Sequence, residues 1–458
     1  MKKWWSVFAL FLFLMIFSAQ APQTEERPLF VPGEVVVKFK TAARGEVTSS
    51  LAKMSLTMSD SVPGNQIFVL KAEPNQDLTQ LVQNLQNESN VEYAEPNYLY
   101  YASDTPNDPD YNRLWGMNNT GQTGGTADAD IDAPEAWAIT KGDTSIVVGV
   151  IDTGVDYKHP DLAANMWTNQ NEDAWADPND PNTGNGIDDD NNGYVDDWRG
   201  WDFANNDNDP FDDNGHGTHV SGTIGGAGNN AVGVVGVNWK VKIMPLKFLT
   251  GSGSGSLSAA ISAIAYANSF GVNVTNNSWG GGGRSQALED AIKAAHAANS
   301  LFVAAAGNAG TDNDASANYP SNYDVPNVLA VAAIDHKGDR AIWGSGGGGT
   351  PGLCGCNGTG GGGANPPGSN YGATTVDLGA PGKDILSTTP NNTYSTFSGT
   401  SMATPHVAGI AALTLSKFPD LTDVQLKDKL MRSVDPSPSL QGKTVTGGIL
   451  NALKAVSN

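Results

Sequence analysis

The sequence predicts an α/β protein in which a largely parallel sheet is covered by helices on both faces, preceded by a small α+β module. From residue 131 onward, short apolar runs alternate with segments of helical spacing, as is typical of parallel sheets buried on both sides. The apolar runs are 146–151, 242–247, 271–275, 301–306 and 328–333, and the helical segments include 257–269 and 286–299. A polar, proline-rich linker at 103–109 separates this pattern from the module before it.

The chain begins with the pattern of a secretory signal peptide over residues 1–21. Lys2 and Lys3 precede an apolar run, 4–17, that is shorter than a membrane-spanning helix, and small residues follow up to Ala21. We therefore expect a secreted protein with no membrane partner after removal of the signal. An uncleaved anchor is the alternative.

Residues 30–102 form the predicted α+β module. The β-branched run 35–39 predicts a strand, Asp77 precedes apolar residues at helical spacing, and 91–101 is again extended. We expect the remaining residues, 103–458, to form one large α/β domain.

Composition narrows the possible partners. The net charge of −22 argues against nucleic acid and anionic membranes, since both select basic patches. Cys354 and Cys356 are the only cysteines in the sequence, so disulfides do not staple this fold, and one Cys-x-Cys lacks the further ligands of a metal site. A monomer is the default expectation.

Ser401 lies among small residues, 399–409, directly before an apolar helical run. This pattern indicates a serine at a helix N-terminus, where free N–H groups and the helix dipole favour the oxyanion of acyl transfer. Pro405 is compatible with the first turn of such a helix. Taken alone, a serine that caps a buried helix would explain this motif better.

His216 and Asp152 lie in two further motifs that suit catalysis. His216 stands between two glycines, which allow close backbone approach, and histidine is the usual general base for a serine nucleophile. The alternatives are a structural histidine or a metal pair with His219, although no third ligand accompanies that pair. Asp152 ends an apolar strand, where functional groups of open α/β sheets gather, but a turn-capping aspartate would show the same pattern.

Together, in the chain order Asp152, His216, Ser401, the three motifs resemble those of the subtilisin-like serine proteases (subtilases), from about residue 131 to the C-terminus. The resemblance implies a subtilisin-like three-layer fold with a largely parallel seven-stranded sheet, and a serine endopeptidase that acts on protein or peptide substrates. His216 would be the base and Asp152 would hold its tautomer. The alternatives are an inactive binding or chaperone protein, opposed by the complete set of catalytic residues, and an esterase, opposed by the absence of Gly-x-Ser-x-Gly.

The same resemblance implies oxyanion and substrate-binding residues. Asn308 matches the family's oxyanion asparagine, although read by itself it belongs to a simple turn pair. Two segments match the walls of the first specificity pocket, and their small residues favour a large apolar or aromatic side chain before the scissile bond. The matching residues are Ser278, Trp279, Gly280, Ala304 and Ala306. Trp279 could equally be a core or rim aromatic.

Residues 30–102 resemble the inhibitor-type propeptide of the family, notably in segments 35–39 and 91–97. The resemblance implies a module that assists folding, places its C-terminal tail in the substrate cleft, and is removed by autoprocessing between Tyr100 and Thr105. A permanent N-terminal domain is the alternative.

Residues 169–213 are dense in Asp and Asn and contain a candidate Ca²⁺ loop. The candidate ligands are Asp188, Asp190, Asn192 and Asp196. They occupy positions 1, 3, 5 and 9 of an EF-hand-like loop with Gly193 at position 6, but Arg199 stands where an EF-hand needs glutamate. Close carboxylates repel one another, which a divalent cation would relieve; a solvated acidic loop is the alternative.

A second Ca²⁺ site is implied by the resemblance alone. Asp161 and Asn230 match ligand positions of subtilases, and Asp108 could contribute from the mature N-terminus.

The chain departs from the family at residues 344–368, which are mostly glycine and contain both cysteines. We interpret this segment as a surface insertion before Ser369-Asn370-Tyr371-Gly372, since its composition cannot build a core. A sequence artefact is the alternative, and no function is assigned to the segment.

Overall fold

The computed structural model describes residues 30–40, 56–62, 66–73, 76–98, 105–343 and 367–457. The predicted signal peptide, almost all of the predicted processing segment, both cysteines and nearly all of the glycine-rich insertion lie outside these residues. The chain divides into two compact units, with the boundary between residues 100 and 101.

The first unit is a four-stranded antiparallel sheet with one helix. Its elements are β1 (Phe30–Phe39), β2 (Thr57–Val62), β3 (Ile67–Lys71), α1 (Leu78–Gln86) and β4 (Val91–Tyr98), and the strand order is β2-β3-β1-β4. Asp77 caps α1 by accepting the backbone N–H groups of Thr79 and Gln80. Alternate residues of β1, Val35 and Val37, are fully buried in one apolar cluster with the inner face of α1, as the apolar spacing predicts.

A nine-stranded sheet forms the centre of the second unit. Its strands are β5 (Val147–Asp152), β6 (Trp201–Asp202), β7 (Lys242–Lys247), β8 (Val274–Asn277), β9 (Leu301–Ala305), β10 (Val328–Ile334), β11 (Leu378–Pro381), β14 (Val434–Pro436) and β15 (Gly448–Leu450), and β12 (Ile385–Thr389) and β13 (Thr393–Phe397) form a separate hairpin. The order is β14-β15-β11-β10-β9-β8-β5-β7-β6, and every pair is parallel except β14–β15. The predicted largely parallel sheet is confirmed. It holds nine strands rather than seven because strands of two or three residues pair at its edges.

Helices cover both faces of this sheet and make three layers. They are α2 (Ala133–Trp137), α3 (His216–Gly225), α4 (Leu257–Ser269), α5 (Gln286–Ala297), α6 (Thr400–Lys417), α7 (Asp423–Arg432) and α8 (Ala452–Val456). Val148 and Val150 of β5 pack in one apolar cluster with α3 and α6, whereas Ile151 packs in another with α4 and α5. Among the described residues, no helix combines the length and apolarity that crossing a membrane requires.

Four histidines of the second unit are buried, and we expect two of them, His219 and His406, to make its stability depend on pH. Burial lowers the pKa of His219 to about 3 and that of His406 to about 4, because a charged imidazole loses its hydration there. The unfolded chain, with histidine pKa values near 6.5, therefore binds more protons below that pH than the folded chain does. The contribution of these two histidines to the free energy of unfolding should be at its full value above pH 6.5 and fall, by up to about 1.4 kcal/mol per pH unit for each histidine, on acidification towards pH 4. Buried carboxyls with raised pKa values, such as Asp132 and Glu172, act in the opposite direction, so the comparison with a variant that lacks one histidine isolates this contribution.

Urea unfolding of the Ser401→Ala protein between pH 7 and pH 5 measures this dependence. His406→Gln keeps a donor for the Met402 carbonyl oxygen, which His406 Nδ1 contacts at 2.8 Å, but removes one titrating group. Its unfolding free energy should fall less steeply with acidification than that of the parent. Equal slopes for the two proteins would contradict the prediction.

Candidate active site

Asp152 and His216 meet at the carboxyl end of β5. Asp152 is the last residue of that strand and is fully buried, and His216 is the first residue of α3. Asp152 Oδ1 lies 2.8 Å from His216 Nδ1 and accepts the Thr153 backbone N–H at 2.7 Å. An acceptor on Nδ1 favours the tautomer with its proton there, which leaves Nε2 to act as a base.

The glycines on either side of His216 allow the start of α3 to lie close to the end of β5, as the sequence predicts. Gly215 has a φ of +112°, in the left-handed region that favours glycine. A Cβ on Gly217 would lie only 2.0 Å from the carbonyl oxygen of Gly154, which follows β5 closely in sequence. A side chain at position 217 would therefore push α3 away from Asp152, and one at position 215 would strain the backbone just before His216.

Asp212, which sequence reasoning missed, ties the end of β5 to the start of α3. Its buried carboxylate accepts hydrogen bonds from Thr153 Oγ1 at 2.8 Å, from Thr218 Oγ1 at 2.6 Å, and from the backbone N–H groups of Gly215 and Thr218, both at 2.8 Å. Burial raises the pKa of Asp212, and these hydrogen bonds oppose that rise. An aspartate in a polar turn just before a helix is a cap signal that could have found it.

His219 contacts the hairpin of β12 and β13. Its Nε2 lies 3.0 Å from the carbonyl oxygen of Ile385 and 3.1 Å from that of Ser395, and its ring stacks on Phe397 with 4.3 Å between centroids. A ring nitrogen that faces carbonyl oxygens carries a proton and is not a metal ligand. This arrangement supports the structural role for His219 over a metal pair.

Ser401 is the second residue of α6 and lies against Ser278, the residue that follows β8. Ser401 Oγ donates to the Ser278 carbonyl oxygen at 3.0 Å, and Ser278 Oγ donates to the Ser401 carbonyl oxygen at 2.8 Å. Pro405 is the sixth residue of α6, near its first turn, as the sequence predicts. Because proline lacks the N–H that would bond to the Ser401 carbonyl four residues earlier, Ser278 supplies the replacement donor.

Asn308 follows β9 and contacts the N-terminus of α6. Its Oδ1 accepts the Thr400 backbone N–H at 2.8 Å and the Thr400 hydroxyl at 3.1 Å. This fixes the orientation of the carboxamide, because the oxygen end is held by the residue next to Ser401. The Nδ2 end is then the one that can donate to a ligand.

A cavity of about 510 Å³ opens beside His216 and Ser278. Trp279 and Gly280 line it, as does a set of mostly apolar residues that sequence reasoning missed. These are Phe248, Leu249, Leu257, Leu288 and Tyr319. Phe248 and Leu249 directly follow β7, so the rule that sites lie at the carboxyl ends of strands could have found them.

Ala304 and Ala306 are fully buried at the end of β9. Ala304 belongs to the apolar cluster that also contacts Trp279, and Ala306 packs with Ala332 and Val376. The structure thus places both alanines in the core next to the site, and their role as a pocket wall stays a prediction.

The acidic segment brings three carboxylates together. Glu172, Asp188 and Asp190 offer oxygens that all lie within 4.8 Å of one another. Glu172 is 6 % exposed, and its Oε2 is buried without a hydrogen-bond partner among the described residues. Burial raises the pKa of Glu172 to about 7. Sequence reasoning missed Glu172, because nothing local to it shows that it folds back onto Asp188.

The other two candidate ligands of this loop, like Asp188 and Asp190, form hydrogen bonds within the acidic segment. Asn192 Nδ2 donates to Asp190 Oδ2 at 3.2 Å and to Asp197 Oδ2 at 2.8 Å. Asp196 accepts the Gly186 backbone N–H at 2.9 Å. A buried carboxylate oxygen that lacks a donor, beside two further carboxylates, fits the all-oxygen coordination that Ca²⁺ prefers.

Asp108, Asp161 and Asn230 also come together. Asn230 donates through Nδ2 to Asp161 Oδ1 at 2.8 Å and through its backbone N–H to Asp108 Oδ1 at 3.3 Å. Tyr394, which the sequence did not indicate, donates its hydroxyl to Asp161 Oδ2 at 2.8 Å. Both carboxylates are buried.

Comparison with known proteins agrees with this arrangement. Residues 143–451 match the model of the subtilase family, and residues 17–97 match that of the fervidolysin N-terminal prodomain. The chain is 34 % identical over 440 residues to a thermophilic serine proteinase of Bacillus sp. (strain AK1), covering 95 % of this chain and 90 % of the relative. It is 33 % identical over 353 residues to thermitase of Thermoactinomyces vulgaris, covering 77 % and 99 %.

A solved structure shows the same fold. The crystal structure of a cold adapted subtilisin-like serine proteinase superimposes with a TM-score of 0.50 at 29 % identity, covering 74 % of this chain and 98 % of that one. The predicted family is confirmed by these matches. The chain belongs to the subtilase family and is a serine endopeptidase with an N-terminal propeptide.

Proposed function

We propose that this chain is a secreted endopeptidase that hydrolyses peptide bonds through an acyl-enzyme intermediate, with Asp152, His216 and Ser401 as its catalytic residues. The observation that carries the proposal is the buried contact of 2.8 Å between Asp152 Oδ1 and His216 Nδ1, beside the cavity that Ser278 and His216 line. A histidine held in this way is suited to take a proton from a serine hydroxyl.

In the proposed reaction, Ser401 Oγ attacks the scissile carbonyl carbon while His216 Nε2 accepts the hydroxyl proton. Asp152 stabilises the imidazolium that forms. The carbonyl oxygen becomes an oxyanion, to which Asn308 Nδ2 and the Ser401 backbone N–H donate; that N–H lies in the first turn of α6, where it lacks an intrahelical acceptor. His216 then protonates the leaving amine, and water hydrolyses the ester by the same route.

The proposed specificity is broad, with a preference for large apolar or aromatic side chains before the scissile bond. Small residues on both proposed walls of the first pocket, which include Gly280 and Ala306, leave room for such a side chain. The neighbouring cavity, lined by Phe248, Trp279 and Tyr319, supports a preference for apolar peptides.

We further propose that residues 1–21 are a signal peptide, that 30–102 inhibit the enzyme and assist its folding, and that 103–458 are the peptidase domain, which removes its own propeptide. The match to a prodomain over residues 17–97 supports this order. The bond that is cut would lie between Tyr100 and Thr105.

We also propose a structural Ca²⁺ ion bound by Glu172, Asp188 and Asp190, with Asn192 as a further oxygen ligand. Bound there, the ion would neutralise carboxylates that otherwise repel one another and so hold the loop in one conformation. Asp108, Asp161 and Asn230 would form a second Ca²⁺ site near the mature N-terminus. Asp196, which lies outside the cluster of Glu172, Asp188 and Asp190, is the least suited of the predicted ligands in this loop.

Casein hydrolysis by the secreted protein tests the proposed activity. We expect hydrolysis that a serine-directed inhibitor blocks and that a zinc-selective chelator leaves unchanged. Resistance to the serine-directed inhibitor, or activity towards esters alone, would overturn the proposal.

Removal of Ca²⁺ should lower the unfolding temperature of the Ser401→Ala protein and speed autolysis of the active enzyme. A ligand present at 100 times its Kd stabilises by about 2.7 kcal/mol, which for a domain of this length corresponds to a shift of about 4 °C in Tm. Differential scanning calorimetry with and without Ca²⁺ measures the shift.

Glu172→Gln tests the first site separately, and Asp177→Asn is its matched control because Asp177 is an exposed carboxylate in the same loop. The rise in Tm that Ca²⁺ produces should be smaller in Glu172→Gln and unchanged in Asp177→Asn. An equal rise in all three proteins would count against a Ca²⁺ ligand at Glu172.

A further inference from the structure

Asn370 holds both peptide groups that flank Asn308. The Asn370 backbone N–H donates to the Gly307 carbonyl oxygen at 2.8 Å, on the N-terminal side of Asn308. On the C-terminal side, the Ala309 backbone N–H donates to Asn370 Oδ1 at 2.9 Å. Because the two peptide planes next to a residue define its φ and ψ, these bonds fix the backbone conformation of Asn308.

The Asn370 side chain is buried and engaged at both ends. Only 3 % of the residue is exposed. Its Oδ1 accepts a second backbone N–H, from Thr311 at 3.1 Å, and its Nδ2 donates to Asn313 Oδ1 at 3.0 Å. Asn313 Nδ2 in turn donates to the Ala306 carbonyl oxygen at 2.9 Å, at the end of β9. The carboxamide of Asn370 thus links the start and the end of the loop that carries Asn308.

Gly307 allows this close approach. It has a φ of +108°, and a Cβ there would lie 2.5 Å from Asn370 Nδ2. The loop is therefore built around the Asn370 carboxamide. Without it, the backbone N–H groups of Ala309 and Thr311 would lose their shared acceptor.

The side chain of Asn308 is held by a separate contact. Thr400 donates to Asn308 Oδ1. Asn370 instead contacts the peptide groups before and after Asn308. The position of Asn308 Nδ2 therefore depends on two contacts: Thr400 orients the carboxamide, and Asn370 fixes the backbone of Asn308.

We infer that Asn370 is a positioning residue for the oxyanion site, acting through Asn308. The inference rests on the proposed role of Asn308 as an oxyanion donor. An asparagine far away in the sequence would then set the rate of acyl transfer without touching the substrate.

Kinetics of four secreted, mature proteins test the inference: the parent, Asn370→Ala, Asn308→Ala and the double variant. Loss of one oxyanion donor lowers kcat by about 100- to 1,000-fold. This is the largest fall in kcat that misplacing the Asn308 donor could cause. We expect Asn370→Ala to lower kcat by about 10-fold or more with KM little changed. In the Asn308→Ala background, the same substitution should lower kcat by less than about 3-fold, because residues in one network are not additive.

Asn327→Ala is the matched control. Asn327 is also a fully buried asparagine, and its Nδ2 donates to the Ser300 carbonyl oxygen at 2.8 Å, but it lies just before β10. The Asn327→Ala protein should be less stable than the parent but have the same kcat. If Asn370→Ala is not secreted, Asn370→Ser, which also lacks the carboxamide, takes its place with the same expected outcomes.

The outcomes separate the inference from the function on which it rests. Equal losses of kcat from Asn370→Ala in both backgrounds, an unchanged kcat, or a rise in KM alone would overturn the positioning role. An unchanged kcat in Asn308→Ala would instead overturn the oxyanion role of Asn308 itself.

Discussion

Ser401→Ala is expected to abolish casein hydrolysis and to accumulate as the unprocessed precursor. Alanine removes the hydroxyl that would form the ester, so water must attack the carbonyl directly, with help only from substrate binding and the oxyanion donors. The expected fall in kcat is about 10⁶-fold, the size known for subtilisin. Mass spectrometry of the secreted protein gives its N-terminus and shows whether the propeptide is still attached.

The matched control is Ser416→Ala, near the other end of α6. Ser416 Oγ donates to the Leu413 carbonyl oxygen at 2.7 Å and lies far along the helix from Ser401. This variant should be processed and active like the parent. Normal maturation of Ser401→Ala would show that another protease removes the propeptide, and residual casein hydrolysis near the parent rate would refute Ser401 as the nucleophile.

Asn308→Ala should lower kcat by about 100- to 1,000-fold, the size known for the equivalent donor of subtilisin, with a much smaller change in KM. The reason is that a donor to the oxyanion acts more strongly in the transition state than on the ground-state carbonyl. Thr400 already holds Oδ1, so the substitution removes a donor whose orientation is fixed before substrate binds.

Michaelis kinetics on a chromogenic peptide distinguish this role from simple substrate binding. A rise in KM with unchanged kcat would mean that Asn308 binds the substrate without stabilising the transition state. Asn308→Asp adds a second check, because it keeps the shape of the side chain but replaces the Nδ2 donor by an acceptor oxygen. Activity equal to the parent in that variant would contradict the prediction.

Much of the fold could be predicted because its signals are local. Apolar runs such as 242–247 and 301–306 became buried parallel strands, and the helical spacing at 257–269 became α4 with the same bounds. The edge strands of the sheet could not be predicted, because strands of two or three residues carry no periodic signal and form only where a neighbour offers unpaired backbone groups.

The motifs of the proposed catalytic residues are visible in the sequence, because the constraints on them are partly local. Small residues around Ser401 and glycines around His216 reflect close backbone contacts, such as that between Gly217 and Gly154. The residues that hold these motifs in place were missed. Asp212 carries a cap signal, but its bond to Thr153 joins segments far apart in sequence, as do the bonds of Asn370 to the loop of Asn308, and the sequence does not reveal these partners.

The sequence by itself determined the parallel α/β core, the module before it, the order Asp152, His216, Ser401 and the acidic character of the candidate Ca²⁺ loop. Only the tertiary structure decided that Glu172 joins Asp188 and Asp190, that Ser278 replaces the hydrogen bond lost at Pro405, and that Asn370 holds the loop of Asn308. The physical reason is that spacing along the chain reports periodic burial and local turns, whereas these contacts join segments that come together only when the sheet and its helices pack.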